Sequence, residues 1–153
     1  MTAIAAPQLA TGHIGLNVSD LDRSVDFYRR ALGFEQLAVS ADDRRRWAFL
    51  GADGKLVVTL WEQSDGAFSA ETPGLHHLSF QVDSIDQVRA VERVLRELSV
   101  AFAHDGVVAH GEGVASGGIF FTDPDGIRLE VYAPSGAESA PAPSGAAPTC
   151  GFF

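Results

Sequence analysis

The chain has 153 residues, of which 46% are hydrophobic and 20% charged, a composition that predicts one globular domain with a sizeable core. Its formal net charge of −9 argues against nucleic acid and anionic membrane surfaces as partners. No apolar run approaches the roughly 20 residues of a membrane span, and the N-terminal residues lack signal-peptide features. The single cysteine, Cys150, excludes an intramolecular disulfide, so we expect a cytoplasmic protein.

The first half of the chain predicts one strand, one helix and then three more strands. Residues 13–18, HIGLNV, alternate apolar side chains with small or polar ones, which is typical of a half-buried strand. Apolar side chains at three- and four-residue spacings then predict a helix, with Ser19 or Asp20 as its N-cap and Gly33 as its end. The remaining strands of this half are predicted over residues 34–40, 46–51 and 55–62.

The second half repeats this order of elements. Residues 77–82, HLSFQV, correspond to HIGLNV, and Ser84 with Gln87 forms a capping box at the start of a second helix. The apolar stripe of that helix is made by Val88, Val91, Leu95 and Leu98. Further strands are predicted over residues 100–104, 117–122 and 127–133.

This repeat predicts two similar modules within one domain. His13 and His77, 64 residues apart, each open a strand–helix–strand–strand–strand unit. A single module of this kind leaves one sheet face bare, and two modules can cover each other. We therefore expect an α+β fold of two tandem βαβββ modules, over residues 11–64 and 74–133 of a domain that covers 1–133.

Residues 134–153, called the tail below, differ in composition from the rest of the chain. From 135 to 149 the tail is almost wholly Ser, Gly, Ala and Pro, which cannot bury enough apolar area to offset the entropy lost on ordering. We expect a flexible linker or disordered extension. Phe152 and Phe153 break this pattern, and their rings either dock into an apolar groove or stay exposed to solvent.

Strand alternation places three metal-ligating side chains on polar strand faces. His13, His77 and Glu130 each oppose the apolar side chains of their own strand, and they converge if those polar faces line a common cleft. Two imidazoles and one carboxylate form a facial triad, which binds Fe(II), Mn(II), Co(II), Ni(II) or Zn(II) and leaves positions open for substrate. The alternative is that both histidines are structural and that Glu130 faces solvent.

Three stretches resemble the vicinal oxygen chelate superfamily, namely GHIGLNVSDLDRSVDFYRRALGF, HHLSFQVDSIDQV and FFTDPDGIRLEVYAP. This superfamily includes glyoxalase I, extradiol dioxygenases, methylmalonyl-CoA epimerase, fosfomycin-resistance thiol transferases and bleomycin-binding proteins. The resemblance covers residues 12–133 and implies a cupped, partly open mixed β-barrel with flanking helices, a small-molecule substrate and a homodimer. It also implies a divalent metal, with Fe²⁺ favoured, on His13, His77 and Glu130.

Departures from each subfamily bear on the reaction. Glyoxalase I uses a fourth protein ligand, but aligning the Asp53-Gly54 turn with Asp125-Gly126 places Val58 at the position of Glu130, with Glu62 four residues further on. Three ligands leave room for both substrate and oxygen, so dioxygenase-like chemistry on a small vicinal-dioxygen substrate is the leading hypothesis. The alternatives are a glyoxalase I-like lyase or isomerase and an antibiotic- or metabolite-binding resistance protein.

Two further residues are candidates for a catalytic role. His110 stands close to the acid–base histidine of the extradiol dioxygenases, and Tyr132 shares a strand face with Glu130, where it can contact substrate. Phe120 replaces a tyrosine that those dioxygenases carry. The alternatives are a solvated loop for His110 and a hydrogen bond at the cleft rim for Tyr132. Aromatic residues that either line a substrate pocket or pack in the core are Trp47, Phe49 and Trp61.

Overall fold

The protein is described from a computed structural model, which covers residues 5–153. The first module contains β1 (Ile14–Val18), α1 (Leu21–Leu32), β2 (Glu35–Val39), β3 (Trp47–Ala52) and β4 (Lys55–Glu62). The second contains β5 (Leu78–Gln81), α2 (Ile85–Glu97), β6 (Val108–Ala109), β7 (Gly117–Thr122) and β8 (Arg128–Ala133). This confirms the expected α+β fold of two βαβββ modules. Neither helix in the described part of the chain has the length and apolar character needed to cross a bilayer.

Each module forms its own mixed four-stranded sheet. The strand orders are β1-β4-β3-β2 and β5-β8-β7-β6, with the first strand parallel to the last in both modules. The registers correct one detail of the sequence alignment. Gly15 pairs with Thr59 just as Ser79 pairs with Glu130, so Thr59, not Val58, is equivalent to Glu130. Val58 instead faces the core and is fully buried.

Side chains at the helix ends account for where the helices begin and stop. Of the two candidate N-caps of α1, Asp20 is the one used, and its carboxylate accepts a hydrogen bond from the Arg23 amide at 3.0 Å. Gly33 ends α1 with a φ of 71°, a left-handed conformation that glycine adopts without steric cost. Ser84 and Gln87 form the predicted capping box of α2.

The two modules share one hydrophobic core. Side chains from both sheets and both helices form a single buried cluster, with Leu16 and Val58 from the first sheet and Leu78 and Leu129 from the second. Because one side of each sheet faces this core, the opposite side of each sheet faces away from it.

One predicted strand is wrong, and a neighbouring strand was missed. Residues 100–104 form only an isolated bridge, between Phe102 and Phe121, whereas the edge strand of this sheet is Val108–Ala109. The edge strand approaches β7 closely because Gly117 carries no side chain, and a Cβ there would collide with the Val108 carbonyl oxygen. Side-chain patterns reveal nothing about a strand that is held mainly by close backbone contact with glycine.

The tail is ordered against the second module, so the expectation of a flexible linker is wrong. The Ala109 amide donates to the Pro141 carbonyl at 2.8 Å, and the Thr149 amide donates to the His110 carbonyl at 2.8 Å. Ala137 is 1% exposed and the Thr149 side chain is fully buried. Backbone hydrogen bonds and two small buried side chains therefore hold a segment that lacks an apolar pattern of its own.

Candidate active site

Glu130 lies at the centre of the candidate site. It belongs to β8, and only 2% of it is exposed. The His77 Nε2 atom lies 3.5 Å from one of its carboxylate oxygens, and the His110 Nε2 atom is hydrogen-bonded to the other. A buried carboxylate flanked by two imidazoles can exchange protons with them. The structure thus brings together His77 and Glu130, two predicted metal ligands, with His110, a predicted catalytic residue.

The environment of His77 favours its neutral form. Burial lowers the pKa of His77 below its ordinary value, although the nearby Glu130 carboxylate opposes this change. The His77 Nδ1 atom lies 2.8 Å from Nδ1 of His76, so Nε2 is the ring nitrogen that faces Glu130. A neutral imidazole is the form that binds a metal ion.

Ser116 orients the ring of His110. The Ser116 hydroxyl lies 2.8 Å from His110 Nδ1, on the opposite side of the ring from Glu130. With Glu130 ionised, His110 Nε2 carries the proton and Nδ1 accepts a hydrogen bond from the serine. The sequence singled out His110 but not the supporting role of Ser116, because a lone serine in a loop carries no pattern.

Tyr132 and Phe120 form the surroundings of this cluster. The Tyr132 ring lies 5.1 Å from the His110 ring, and its hydroxyl donates to Gln81 Oε1 at 2.8 Å. Phe120, which pairs with Glu130 across β7 and β8, is fully buried. Tyr132 therefore stands beside the histidine that contacts Glu130, and Phe120 supplies an apolar wall.

His13 is not brought to this cluster. It is exposed and lies directly before β1, in the other module. Among residues 5–153 His13 makes no ion pair, and no group of three or more His, Cys, Asp or Glu side chains is arranged to hold a metal ion. The single chain thus places two of the three predicted ligands together and leaves the third apart.

The outward side of the first sheet, which corresponds to the side of the second sheet that carries Glu130, bears aromatic residues. Trp61 is equivalent to Tyr132, and its indole N–H donates to the Thr59 hydroxyl at 2.9 Å. The rings of Trp47 and Phe49 lie 4.7 Å apart, and Trp61 packs beside both. These three aromatic side chains, partly exposed, thus form one patch on the sheet that His13 precedes.

Glu62 has a structural role in this module. Its Oε2 atom accepts from the Leu21 amide at 2.6 Å, at the positive end of α1, and lies 3.1 Å from Arg46 Nη1. A carboxylate held in this way stabilises the helix start. Its position leaves Thr59 as the residue equivalent to Glu130 on this sheet.

The ring of Phe153 lies directly on the cluster. It is 5.5 Å from the His77 ring and 5.3 Å from the Phe120 ring, measured between ring centroids. The Arg128 guanidinium carbon lies 5.3 Å from the centroid of the same ring. Of the two outcomes expected for the phenylalanines, docking applies to Phe153, while Phe152 is 55% exposed.

Comparison with known proteins agrees with this architecture. Residues 10–131 match the model of the glyoxalase/bleomycin resistance protein/dioxygenase superfamily. The chain belongs to this superfamily. A glyoxylase/bleomycin resistance protein/dioxygenase domain from Frankia sp. EAN1pec has a similar structure, with a TM-score of 0.72, 27% identity, and coverage of 83% of this chain and 98% of that one.

Curated relatives within the superfamily have different activities. Catechol-2,3-dioxygenase of Bacillus subtilis is 30% identical over 129 residues, which are 80% of this chain but only 40% of that protein. Lactoylglutathione lyase of Neisseria meningitidis serogroup A is 31% identical over 124 residues, covering 77% of this chain and 86% of the lyase. The superfamily therefore includes oxygen-dependent and lyase chemistries at similar distance from this chain, and its members bind small molecules.

Proposed function

We propose that this protein is a divalent-metal-dependent enzyme with dioxygenase-like chemistry on a small vicinal-dioxygen substrate. The observation that carries the proposal is the buried carboxylate of Glu130, held between His77 and His110 at an apolar wall. A metal ion held there would act as a Lewis acid towards two vicinal oxygens, and iron would add oxygen activation. On the basis of the composition, the proposal also includes a cytoplasmic location.

The metal would be held by His77 and Glu130 together with His13 from a second copy of the chain. Within one chain the sheets share a core on their inner sides, so their outward sides face apart. In a two-fold symmetric dimer, the outward side of the first sheet in one chain can face the outward side of the second sheet in the other chain. The partly exposed aromatic patch of Trp47, Phe49 and Trp61 supports such a partner, because it leaves some apolar area uncovered.

His110 is the residue we assign to proton transfer. Its Nε2 atom is hydrogen-bonded to Glu130, and Ser116 holds Nδ1, so the orientation of the ring is defined for proton transfer. Tyr132, beside the His110 ring, would contact substrate at the rim. Phe120 excludes water from the inner side of the site.

Dioxygenase-like chemistry is favoured over a glyoxalase I-like reaction by the ligand set. Thr59 stands where a fourth carboxylate would be needed, and Glu62 is engaged with Leu21 and Arg46. A set of three protein ligands leaves positions for two substrate oxygens and a third molecule. The lyase or isomerase remains the second candidate because a lactoylglutathione lyase is 31% identical to the chain over 124 residues.

Metal content tests the ligand set directly. The chain is purified anaerobically, and its iron, manganese, nickel, cobalt and zinc are quantified beside the variants His77→Ala, Glu130→Ala and His13→Ala. Each variant is expected to lose most of its bound metal, whereas Glu62→Gln is expected to retain it. Full occupancy in the Glu130→Ala variant would contradict the proposal.

Complementation tests whether two chains share the site. His13→Ala and Glu130→Ala chains are mixed under conditions that allow subunit exchange. A shared site predicts that about a quarter of the sites regain all three ligands, because each mixed dimer has one intact site out of two. Recovery of no metal binding would show that the ligands belong to one chain.

The reaction is tested with the metal-loaded protein. Oxygen consumption with a panel of catechols supports the dioxygenase, and loss of a hemithioacetal without oxygen uptake supports the lyase. Ligand-induced thermal stabilisation without turnover supports the third alternative, a binding protein. The variant His110→Gln is expected to lower kcat more than it lowers metal content, since the side chain is assigned to proton transfer.

A further inference from the structure

The tail reaches the candidate site from an anchored position. The Thr149 hydroxyl donates to the Ala109 carbonyl at 2.6 Å, while its amide donates to the His110 carbonyl at 2.8 Å. Thr149 is fully buried, so these two hydrogen bonds are shielded from water. The chain is therefore fixed directly beside His110, four residues before Phe153.

Beyond this anchor the chain crosses the cluster with few hydrogen bonds to the rest of the protein. The Phe152 carbonyl oxygen lies 3.0 Å from His104 Nε2, and the short turn Thr149–Gly151 leads into it. The Phe153 ring then rests on His77 and Phe120, with Arg128 at its face. Ring contacts of this kind are individually weak, so together they hold a short segment in place without locking it there.

We propose that residues 150–153 form a displaceable cover over the His77–Glu130 site, in which the Phe153 ring occupies the place of an aromatic ring of a ligand. The aromatic walls and the guanidinium that hold this ring would hold the ring of a small aromatic molecule equally well. His104, which meets the Phe152 carbonyl, would then meet an acceptor oxygen on that molecule. The cover and an aromatic ligand cannot be bound together, so each displaces the other.

This inference rests on the proposed function in one respect, namely that the displacing ligand is the substrate. Docking of the tail itself is independent of metal and turnover. Cys150, the only cysteine, lies within the cover and is partly buried, so its alkylation rate reports whether the cover is docked. Phe152 provides a matched control because its ring is 55% exposed and its backbone carbonyl is retained on substitution.

The experiment uses the full chain and its variants Phe153→Ala and Phe152→Ala. In metal-free protein, Phe153→Ala is expected to raise the rate of Cys150 alkylation by iodoacetamide about tenfold, and Phe152→Ala is expected to leave it unchanged. Equal rates in the two variants would overturn the docking of the cover.

The second part uses the probe 4-nitrocatechol with Mn(II)-loaded protein. Phe153→Ala is expected to bind the probe about tenfold more tightly than the wild type and Phe152→Ala do, because the binding-competent state no longer competes with the docked ring. The probe is also expected to speed Cys150 alkylation in the wild type. Equal affinities in all three proteins, or no binding in any, would overturn the cover. Failure of the proposed function is a separate result, seen as absence of Mn(II) binding in a titration of the wild type.

Discussion

At the scale of single residues, one buried polar pair joins the two modules. The Tyr28 hydroxyl donates to Asp123 Oδ2 at 2.8 Å, and the other carboxylate oxygen accepts from the amides of Asp125 and Ile127 at 2.9 Å. Tyr28 is fully buried and Asp123 is 5% exposed. Burying a carboxylate is costly unless hydrogen bonds compensate it, so this network is sensitive to the loss of any one donor.

The substitution Tyr28→Phe is expected to lower the free energy of unfolding by about 1–3 kcal/mol, because it removes a donor from a buried carboxylate. Tyr132→Phe is the matched control, since its hydroxyl meets Gln81 at an exposed position. That control is expected to change stability by less than about 0.5 kcal/mol. Urea denaturation of both variants measures the difference, and equal losses would contradict the role given to Asp123.

The same carboxylate predicts a pH dependence. Burial raises the pKa of Asp123 above its ordinary value of 3.8, in spite of its three hydrogen bonds. The folded state therefore binds the proton more tightly than the unfolded state, and this group's contribution to stability falls as the pH rises from about 4 through the raised pKa.

Asp123→Asn keeps an acceptor for the two amides and does not titrate. Denaturant unfolding of the wild type and this variant is compared at several values from pH 4 to pH 7. The stability of the wild type relative to Asp123→Asn is expected to fall as the pH rises and then to level off. A relative stability that increases with pH would contradict the raised pKa.

At the scale of elements, the second sheet depends on glycines as well as on apolar side chains. A Cβ on Gly118 would collide with the Val131 carbonyl oxygen and with Tyr132, both on the neighbouring strand β8. The contact is with backbone, which cannot move aside without breaking the pairing of β7 with β8. Gly118 lies on the strand next to the one that carries Glu130, so this crowding also affects the position of the site.

Gly118→Ala is therefore expected to lower the free energy of unfolding by about 2–3 kcal/mol. Gly12→Ala is the control, because a Cβ at this exposed glycine meets no atom within 4 Å. That variant is expected to match the wild type in thermal unfolding. Comparable melting temperatures for the two variants would show that β7 and β8 have room to separate.

The elements that the sequence predicted correctly are those with local signals. Strand β1, helix α1 and the capping box of Ser84 and Gln87 depend on residues within one or two turns of each other. Strand β6 was missed because it is two residues long and pairs with glycines. The sequence alone identified His77, Glu130 and His110 as candidate site residues, but not that His110 contacts Glu130.

At the scale of the whole molecule, the packing of the tail is the largest departure from expectation. The composition of a segment indicates how much apolar area it can bury by itself, and the tail has few apolar side chains large enough to bury much. The second module, however, offers unpaired backbone groups at β6 and the following loop, and the tail satisfies several of them, including those of Ala109, His110 and Glu112. Hydrogen bonding between distant segments thus orders a stretch that has no pattern of its own.

Hydrogen exchange checks this packing. The amides of Ala109 and Thr149 are expected to exchange about a hundredfold or more slowly than in an unfolded chain, since each donates to a carbonyl across the contact between the tail and the second module. Leu9, which is 89% exposed, provides the reference for an unprotected position. Rapid exchange at Thr149 would show that the tail leaves the second module frequently.

The sequence by itself determined the two modules, the capping box of the second helix and the residue types of the candidate site, because periodicity and capping act over a few neighbouring residues. Only the tertiary structure decided which of those residues meet. It joined His77, Glu130 and His110, kept His13 apart, and placed Phe153 on the cluster. The physical reason is that both sheets turn their apolar sides to one shared core, so the polar side chains that alternate with them on the strands point to the opposite sides of the sheets.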